Sequence, residues 1–122
     1  MRKDSKAVTI GHFEQLVLSA VLALNGKDSH GKNICKKTSE FEKKEVNLGG
    51  VYVTLERLRE KGLLTSELSD ARPERGGRRR AFYRITPEGE VALSESLLSS
   101  VRAYQETETF WEKVKKWRRR RI

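Results

Sequence analysis

Five of the six arginines between Gly62 and Gly89 are the side chains whose type and spacing point most directly to a chemistry. This stretch reads GLLTSELSDARPERGGRRRAFYRITPEG, and the pair Gly76–Gly77 near its centre favours a tight reversal. Guanidinium groups contact phosphates and enter narrow minor grooves, so the loop is predicted to bind a nucleic-acid backbone. The alternative is a solvated run of charge. The five residues are Arg72, Arg75, Arg78, Arg79 and Arg80.

A helix just upstream of the arginines carries a second set of candidate contacts. Its apolar stripe, Leu48, Val51, Leu55 and Leu58, is predicted to face inward. The predicted outer face consists of Gly50, Val53, Thr54 and Arg57, with Tyr52 beside it. Arginine can bind guanine or phosphate, threonine can contact a phosphate or a thymine methyl, and a tyrosine hydroxyl can donate to a phosphate. The alternatives are an ion pair of Arg57 with Glu60 and an ordinary half-buried tyrosine.

The preceding helix supplies a third set. It is predicted to begin near Ser29, a residue type that is favoured at helix N-caps. Ile34 and Phe41 are predicted to face inward, and the lysines outward. We therefore expect Ser29, Lys32 and Lys36 to contribute phosphate contacts beside the arginine loop.

The remaining elements must hold these groups together. Strand candidates Leu63 to Leu68 and Arg80 to Ile85 flank the arginine loop, and Thr86-Pro87-Glu88 starts a helix. A first helix is predicted from about Ile10 to Leu24. The predicted fold is mainly α with a small β-hairpin: a winged helix-turn-helix over residues 1–86 and a C-terminal dimerisation helix with a basic tail over residues 87–122.

Two helices carry more apolar surface than a domain of this size can bury alone. The last helix is predicted to run from Pro87 to about Trp117, roughly 45 Å. Its far half can bury an apolar stripe only against another chain, which predicts a homodimer. The first helix is also apolar over much of its girth. The predicted interface residues are Phe13, Val17, Leu93, Leu97, Val101, Tyr104, Trp111 and Val114.

Charge and composition narrow the function classes. The chain has 26 Lys and Arg against 17 Asp and Glu, a net charge of +9, which favours a polyanionic partner. Its single cysteine, Cys35, cannot form an internal disulfide, so we expect a reducing cytoplasm. The chain has no run of about 18 apolar residues, so no membrane span is predicted.

Catalytic chemistry has little support in the sequence. Cys35 lies five residues from His30, but no third orienting group accompanies this pair. One cysteine and two histidines make no convincing zinc set. We therefore predict a protein without enzymatic activity, metal or cofactor. An enzyme that uses Cys35 stays as the least favoured alternative.

The motifs described above resemble those of the PadR family of bacterial transcriptional regulators. The family's helix-three pattern, a glycine, an apolar-Tyr pair and T-L-x-R-L, is similar to Gly50-Val51-Tyr52-Val53-Thr54-Leu55-Glu56-Arg57-Leu58. The family's wing end is similar to the segment Gly76 to Gly89, and its Y-G-x-x-I step is similar to His30-Gly31-Lys32-Asn33-Ile34. This chain has Gly50 where Ser or Thr is common, Arg79 where proline is usual, and His30 where tyrosine is usual. The resemblance implies a homodimeric winged-helix repressor with one C-terminal helix.

The predicted function is that of a sequence-specific double-stranded DNA-binding transcriptional regulator, a repressor that binds an inverted repeat as a homodimer. The alternative is a winged-helix module that docks an acidic protein. A small apolar effector is a further predicted partner, because Tyr104, Phe110, Trp111 and Trp117 could line a pocket. An aromatic stripe of this kind is more often part of an interface.

Overall fold

The computed structural model describes residues 8–69 and 80–121, and these form five helices and one β-hairpin. The helices and strands, in chain order, are α1 (His12–Leu24), α2 (Gly31–Glu42), α3 (Leu48–Glu60), β1 (Leu64–Leu68), β2 (Ala81–Ile85), α4 (Pro87–Glu106) and α5 (Glu108–Arg121). The hairpin follows α3 directly and precedes α4. This order confirms the predicted fold class, mainly helical with one small hairpin.

Helix α1 runs through the centre of the core. Its apolar residues lie at helical spacing, and one side is buried against α2, α3, β2 and α4. The helix begins after Gly11, whose backbone N–H donates to Glu14 Oε1 at 2.8 Å. It ends at Asn25, which adopts a left-handed conformation with φ of 50°. The first helix therefore begins two residues later than predicted.

Helices α2 and α3 form the helix-turn-helix pair. The N-cap of α2 is His30 rather than Ser29, so the predicted start is shifted by one residue. Asn47 caps α3 as its residue type predicts, since its side-chain oxygen accepts from Gly50 N at 2.9 Å. Phe41 is exposed and not inward-facing: it lies in the last turn of α2, after the last buried residue of that helix, Thr38.

Strands β1 and β2 pair antiparallel, with Leu64 opposite Ile85 and Leu68 opposite Ala81. A tight contact joins this hairpin to α4: a β-carbon on Gly89 would overlap the carbonyl oxygen of Leu63. Thr86 caps α4 by accepting from Gly89 N at 3.0 Å, and its hydroxyl donates to Gly62 O at 2.8 Å. The base of the hairpin is thereby fixed to the start of the C-terminal helices.

The C-terminal region is two helices rather than the single helix that was predicted. The break falls at Thr107, where φ is −113° and ψ is 20°. The Thr107 hydroxyl donates to Ala103 O at 2.9 Å and accepts from Trp111 Nε1 at 2.8 Å. A threonine that hydrogen-bonds back into the preceding turn competes with the helical backbone, which accounts for the break.

No helix within residues 8–69 and 80–121 has both the length and the apolar character that crossing a membrane requires.

Candidate nucleic-acid interface

The surface of α3 opposite the core is exposed along its whole length. Val51, Leu55 and Leu58 are fully buried, whereas Tyr52 is 44% and Val53 56% exposed. Arg57 is exposed as well, and within residues 8–69 and 80–121 it forms no ion pair with Glu60. The outer face of the helix therefore presents an aromatic ring, an apolar side chain and a guanidinium to any molecule that docks there.

Two of the predicted contacts on these helices are wrong. Thr54 is 5% exposed and belongs to the buried side of α3, one turn after Val51. Ser29 is 1% exposed, and its hydroxyl donates to Tyr83 O at 2.7 Å. Both hydroxyls lie inside the domain, so neither side chain reaches a docked nucleic acid. Ser29 instead joins the α1–α2 connection to β2, since its carbonyl also accepts from Tyr83 N at 3.0 Å.

The start of α2 meets the outer face of α3 at Tyr52. A β-carbon on Gly31, the first residue of α2, would overlap Cε1, Cζ and the hydroxyl oxygen of Tyr52. The Tyr52 hydroxyl therefore lies beside the first turn of α2. Burial raises the pKa of the neighbouring Tyr83, and Tyr52 and Glu56 raise it further while Arg59 opposes them. Tyr52 and Tyr83 are therefore close to each other, and the start of α2, the outer face of α3 and β2 meet at this point.

The wing begins next to the start of α2. Arg80 Nη1 lies 3.1 Å from His30 Nε2, and the His30 ring contacts Phe82 edge-on at 5.9 Å. Because a guanidinium only donates hydrogen bonds, His30 Nε2 is the acceptor and its ring proton lies on Nδ1. His30 is 9% exposed, so the imidazole is held inside the domain with its acceptor directed at Arg80.

The other predicted wing contacts, Arg72, Arg75, Arg78 and Arg79, lie outside the described residues. Lys32 and Lys36 are both exposed on α2, and Gly50 is half-buried in the first turn of α3. The described part of the chain thus has cationic or hydroxyl groups on the surfaces of α2, α3 and the wing base: Lys32, Lys36, Tyr52, Arg57 and Arg80.

Two carboxylates near this surface each form an ion pair with a cationic side chain of the same chain. Arg59 hydrogen-bonds Glu56 through two nitrogens, and this contact lowers the pKa of Glu56. Glu14 is buried, which alone would raise its pKa. The ammonium of Lys61 at 2.9 Å and the N–H of Gly11 outweigh that effect and lower the pKa. Both carboxylates are therefore ionised at neutral pH, each with a cation beside it.

The predicted interface residues divide into two groups. Val17 and Leu93 are wrong as interface residues, because both are buried in the core of their own chain. Phe13 is partly buried against the same core. Leu97, Val101 and Tyr104 are exposed on α4, and Trp111 and Val114 are half-buried on α5. Only the second group presents apolar surface that a partner could cover.

The aromatic residues around Thr107 pack against one another. Tyr104 stacks on Trp111 with the ring centres 6.0 Å apart and an angle of 18° between the planes. Phe110 contacts the same indole edge-on at 5.2 Å. Tyr104 and Phe110 are nevertheless about half exposed, so the cluster is an aromatic surface and not a closed pocket.

The other chemistry-bearing groups form no recognisable site. Cys35 is half-buried, and its Sγ lies 3.5 Å from Val46 O, which fits a structural cysteine. Among the residues that the structure describes, no three His, Cys, Asp or Glu side chains could hold a metal ion together.

Comparison with known proteins identifies the family of this chain. The model of the "Transcriptional regulator PadR-like family" matches residues 20–95, which is more than half of the chain. No curated protein sequence matches this chain.

Similar solved structures have the same fold. A PadR family transcription regulator from Clostridium difficile is 26% identical with a TM-score of 0.64, and the match covers 83% of this chain and 99% of that one. A PadR-like transcription factor from Bacteroides fragilis is 26% identical with a TM-score of 0.58, over 80% and 90% of the two chains.

A third structure, of BpsR from Bordetella bronchiseptica, is 19% identical with a TM-score of 0.56, over 85% and 71% of the two chains. That protein's DNA binding is described as regulated by 6-hydroxynicotinic acid. The family match carries the assignment, and the structures agree in fold. This chain therefore belongs to the PadR-like family of transcriptional regulators, which are DNA-binding proteins and not enzymes.

Proposed function

We propose that this chain represses transcription from the cytoplasm by binding an inverted-repeat operator in double-stranded DNA as a homodimer. The observation that carries the proposal is the convergence of three elements: the start of α2, the outer face of α3 and the base of the wing. A helix flanked by a hairpin in this order is the arrangement with which winged helix-turn-helix proteins enter a major groove. Residues 1–86 form the DNA-binding domain, and residues 87–122 form the dimerisation region.

The side chains on this surface divide into two roles. Lys32, Lys36 and Arg80 carry charge toward the phosphates, and the Tyr52 hydroxyl donates to one more. Val53 and Arg57 lie on the outer face of α3, where they reach base edges: valine packs on a thymine methyl, and arginine donates to guanine. The wing arginines Arg75, Arg78 and Arg79 add contacts to the backbone.

The C-terminal helices support the homodimer. Leu97, Val101 and Tyr104 of α4 leave a large share of their apolar surface in water, and Trp111 and Val114 of α5 extend the same surface. A soluble chain rarely keeps so much contiguous apolar surface uncovered. A second copy that covers it would also place two α3 helices on one duplex, about 34 Å apart.

A small apolar effector is part of the proposal. BpsR is a regulator of the same fold whose DNA binding responds to a planar aromatic acid. In this chain the exposed rings of Tyr104 and Phe110 lie around Trp111, next to the helix break at Thr107. A planar ligand on these rings would change the angle between α4 and α5, and with it the spacing of the two α3 helices.

The test is selection of duplexes from a random pool, followed by fluorescence anisotropy on the enriched duplex and a scrambled one at several salt concentrations. We expect a preference of about a thousandfold or more for the enriched duplex at physiological salt. Equal binding to both duplexes, with a steep salt dependence, would contradict sequence-specific regulation. Failure to bind any duplex, with retained dimerisation, would favour a module that docks an acidic protein.

A further inference from the structure

The close approach of Tyr52 to Gly31 identifies a role for the glycine. Three atoms of the Tyr52 side chain occupy the space that a β-carbon at position 31 would need. The contact joins the first turn of α2 to the outer face of α3, the two surfaces on which the proposed phosphate contacts lie. We propose that Gly31 is a positioning residue: its missing side chain lets the Tyr52 hydroxyl lie at the first turn of α2, where it donates to a DNA phosphate.

Backbone conformation does not require a glycine at this position. Gly31 is the first residue of α2, and it is not among the residues with positive φ in the described part of the chain, which are Asn25, Gly26, Asp28, Lys43 and Gly62. Alanine is compatible with a helical backbone and is the better helix former. The requirement for glycine therefore comes from the tyrosine ring that packs against it.

Among the described glycines, Gly31 and Gly89 have the closest neighbours, and they differ in what a methyl group would displace. At Gly89 the obstacle is the Leu63 carbonyl, a backbone atom that cannot move without disturbing the hairpin. At Gly31 the obstacle is the far end of a side chain that is 44% exposed, so the ring can swing outward into water. Alanine at position 31 should therefore leave the fold intact and move the Tyr52 hydroxyl.

The chemistry of the displaced group sets what a binding experiment would show. A tyrosine hydroxyl is neutral, so its contact with a phosphate adds affinity without releasing a counterion. Loss of this contact should weaken binding and leave the salt dependence unchanged. Loss of a cationic contact such as Arg80 should reduce both the affinity and the slope.

The experiment is a double-mutant cycle on the full chain. It compares the wild type with Gly31→Ala, Tyr52→Ala and the double variant, with Tyr52→Phe to isolate the hydroxyl. Gly11→Ala is the matched control, since it adds a methyl at the start of α1, where the nearest atom is Glu14 Oε1 at 3.9 Å. Thermal midpoints report the packing, and anisotropy with the enriched duplex reports the positioning.

We expect Gly31→Ala to lower the midpoint by roughly 4 °C in the wild type, and to leave it unchanged or raise it once Tyr52 is alanine. Gly31→Ala and Tyr52→Phe should each weaken DNA binding about five- to tenfold with an unchanged salt slope. In the Tyr52→Ala background, Gly31→Ala should cause no further loss. Gly11→Ala should retain the wild-type affinity.

The proposal rests on the proposed function, and the cycle separates the two. Equal midpoint losses in both backgrounds, or wild-type affinity of Gly31→Ala beside weak binding of Tyr52→Phe, would overturn the positioning role while DNA binding stands. If the wild type binds no duplex at all, the proposed function is contradicted, and the role of Gly31 in DNA binding with it.

Discussion

The winged-helix body and the C-terminal arm treat their apolar residues in opposite ways. The body, residues 8–69 with β2 and the first two turns of α4, has one continuous core, in which Val17, Leu18 and Leu55 are fully buried. The arm, the rest of α4 with α5, leaves Leu97, Leu98, Val101, Phe110 and Trp117 exposed, each by 40% or more. The same chain therefore contains one part that is complete by itself and one that is not.

The difference separates two kinds of contact. In the body, exposed groups such as Tyr52, Val53 and Arg57 lie on elements whose other side is buried in the core. In the arm, exposure is the rule, and α5 has no fully buried residue among its described side chains. We infer that a change in the arm should act on assembly, whereas a change in the body should act on stability or on DNA binding alone.

The largest expected effect is on the arm. Val114→Glu places a carboxylate within the apolar side of α5, where an unpaired charge is costly to bury. We expect the dimer to dissociate at concentrations at least about a hundredfold higher, and operator affinity to fall by a similar factor as the second reading helix is lost. Sedimentation velocity measures the first change and anisotropy the second.

The matched control for this variant is Lys116→Glu, which places the same carboxylate on the exposed polar side of α5. It should assemble like the wild type. A Val114→Glu protein that stays dimeric would break the comparison, because the arm would then not be the dimer surface.

A body substitution should change stability and leave assembly alone. Glu14 has a lowered pKa, so its pairing with Lys61 stabilises the fold above the unfolded-state pKa of about 4.3. This contribution is lost as the pH falls through the lowered value. Glu14→Gln should cost about 1–2 kcal/mol at pH 7 and progressively less below about pH 4, as measured by urea unfolding.

The control for this substitution lies in the arm. Glu112→Gln breaks an exposed pair with Lys115 on α5 and should change stability by less than about 0.5 kcal/mol. Equal losses from the two variants at pH 7 would mean that burial does not distinguish these carboxylates.

The wing base should respond to the acceptor on His30. Gln at this position keeps a hydrogen-bond acceptor for Arg80 but lacks the ring. Phe keeps an aromatic ring but lacks the acceptor. We expect His30→Phe to weaken operator binding about fivefold and His30→Gln by about twofold or less, measured by anisotropy at fixed salt. A larger loss for His30→Gln than for His30→Phe would show that the ring, and not its acceptor, is what the wing requires.

The smallest expected effect concerns base reading by α3. Val53 is the most exposed apolar residue of that helix, and one buried methyl group is worth about 0.8 kcal/mol. Replacing thymine by deoxyuridine at a contacted position should weaken wild-type binding about fourfold. The Val53→Ala protein should be much less sensitive. Insensitivity of the wild type at every thymine of the operator would remove valine from base reading.

Local signals in the sequence were sufficient for most of the fold. Asn47 predicted a helix cap by its residue type, and the apolar spacing of α3 predicted the burial of Val51, Leu55 and Leu58. The inward placement of Leu48 was wrong, because this residue in the first turn of α3 is 37% exposed. The hairpin strands were predicted within one residue at each end. Each of these features depends on residues that lie within a few positions of one another along the chain. A local sequence pattern is therefore enough to predict them.

Features that depend on distant contacts were missed. Ser29 is a good cap by type, but its hydroxyl is used by Tyr83, 54 residues later. The approach of Tyr52 to Gly31 joins two helices, and its only local sign is a glycine at the start of a helix where alanine would be preferred.

The burial of Thr54, in contrast, could have been predicted from the local sequence, because Thr54 lies three residues after Val51 on the buried side of α3.

The central claim is that two chains read one operator through two α3 helices. Its most direct test is an anisotropy titration of the enriched duplex and of a duplex that keeps only half of the repeat, with native mass spectrometry of each complex. We predict two chains on the full site, and affinity at least about a hundredfold weaker for the half site. One chain per full site, with equal affinity for both duplexes, would contradict the account.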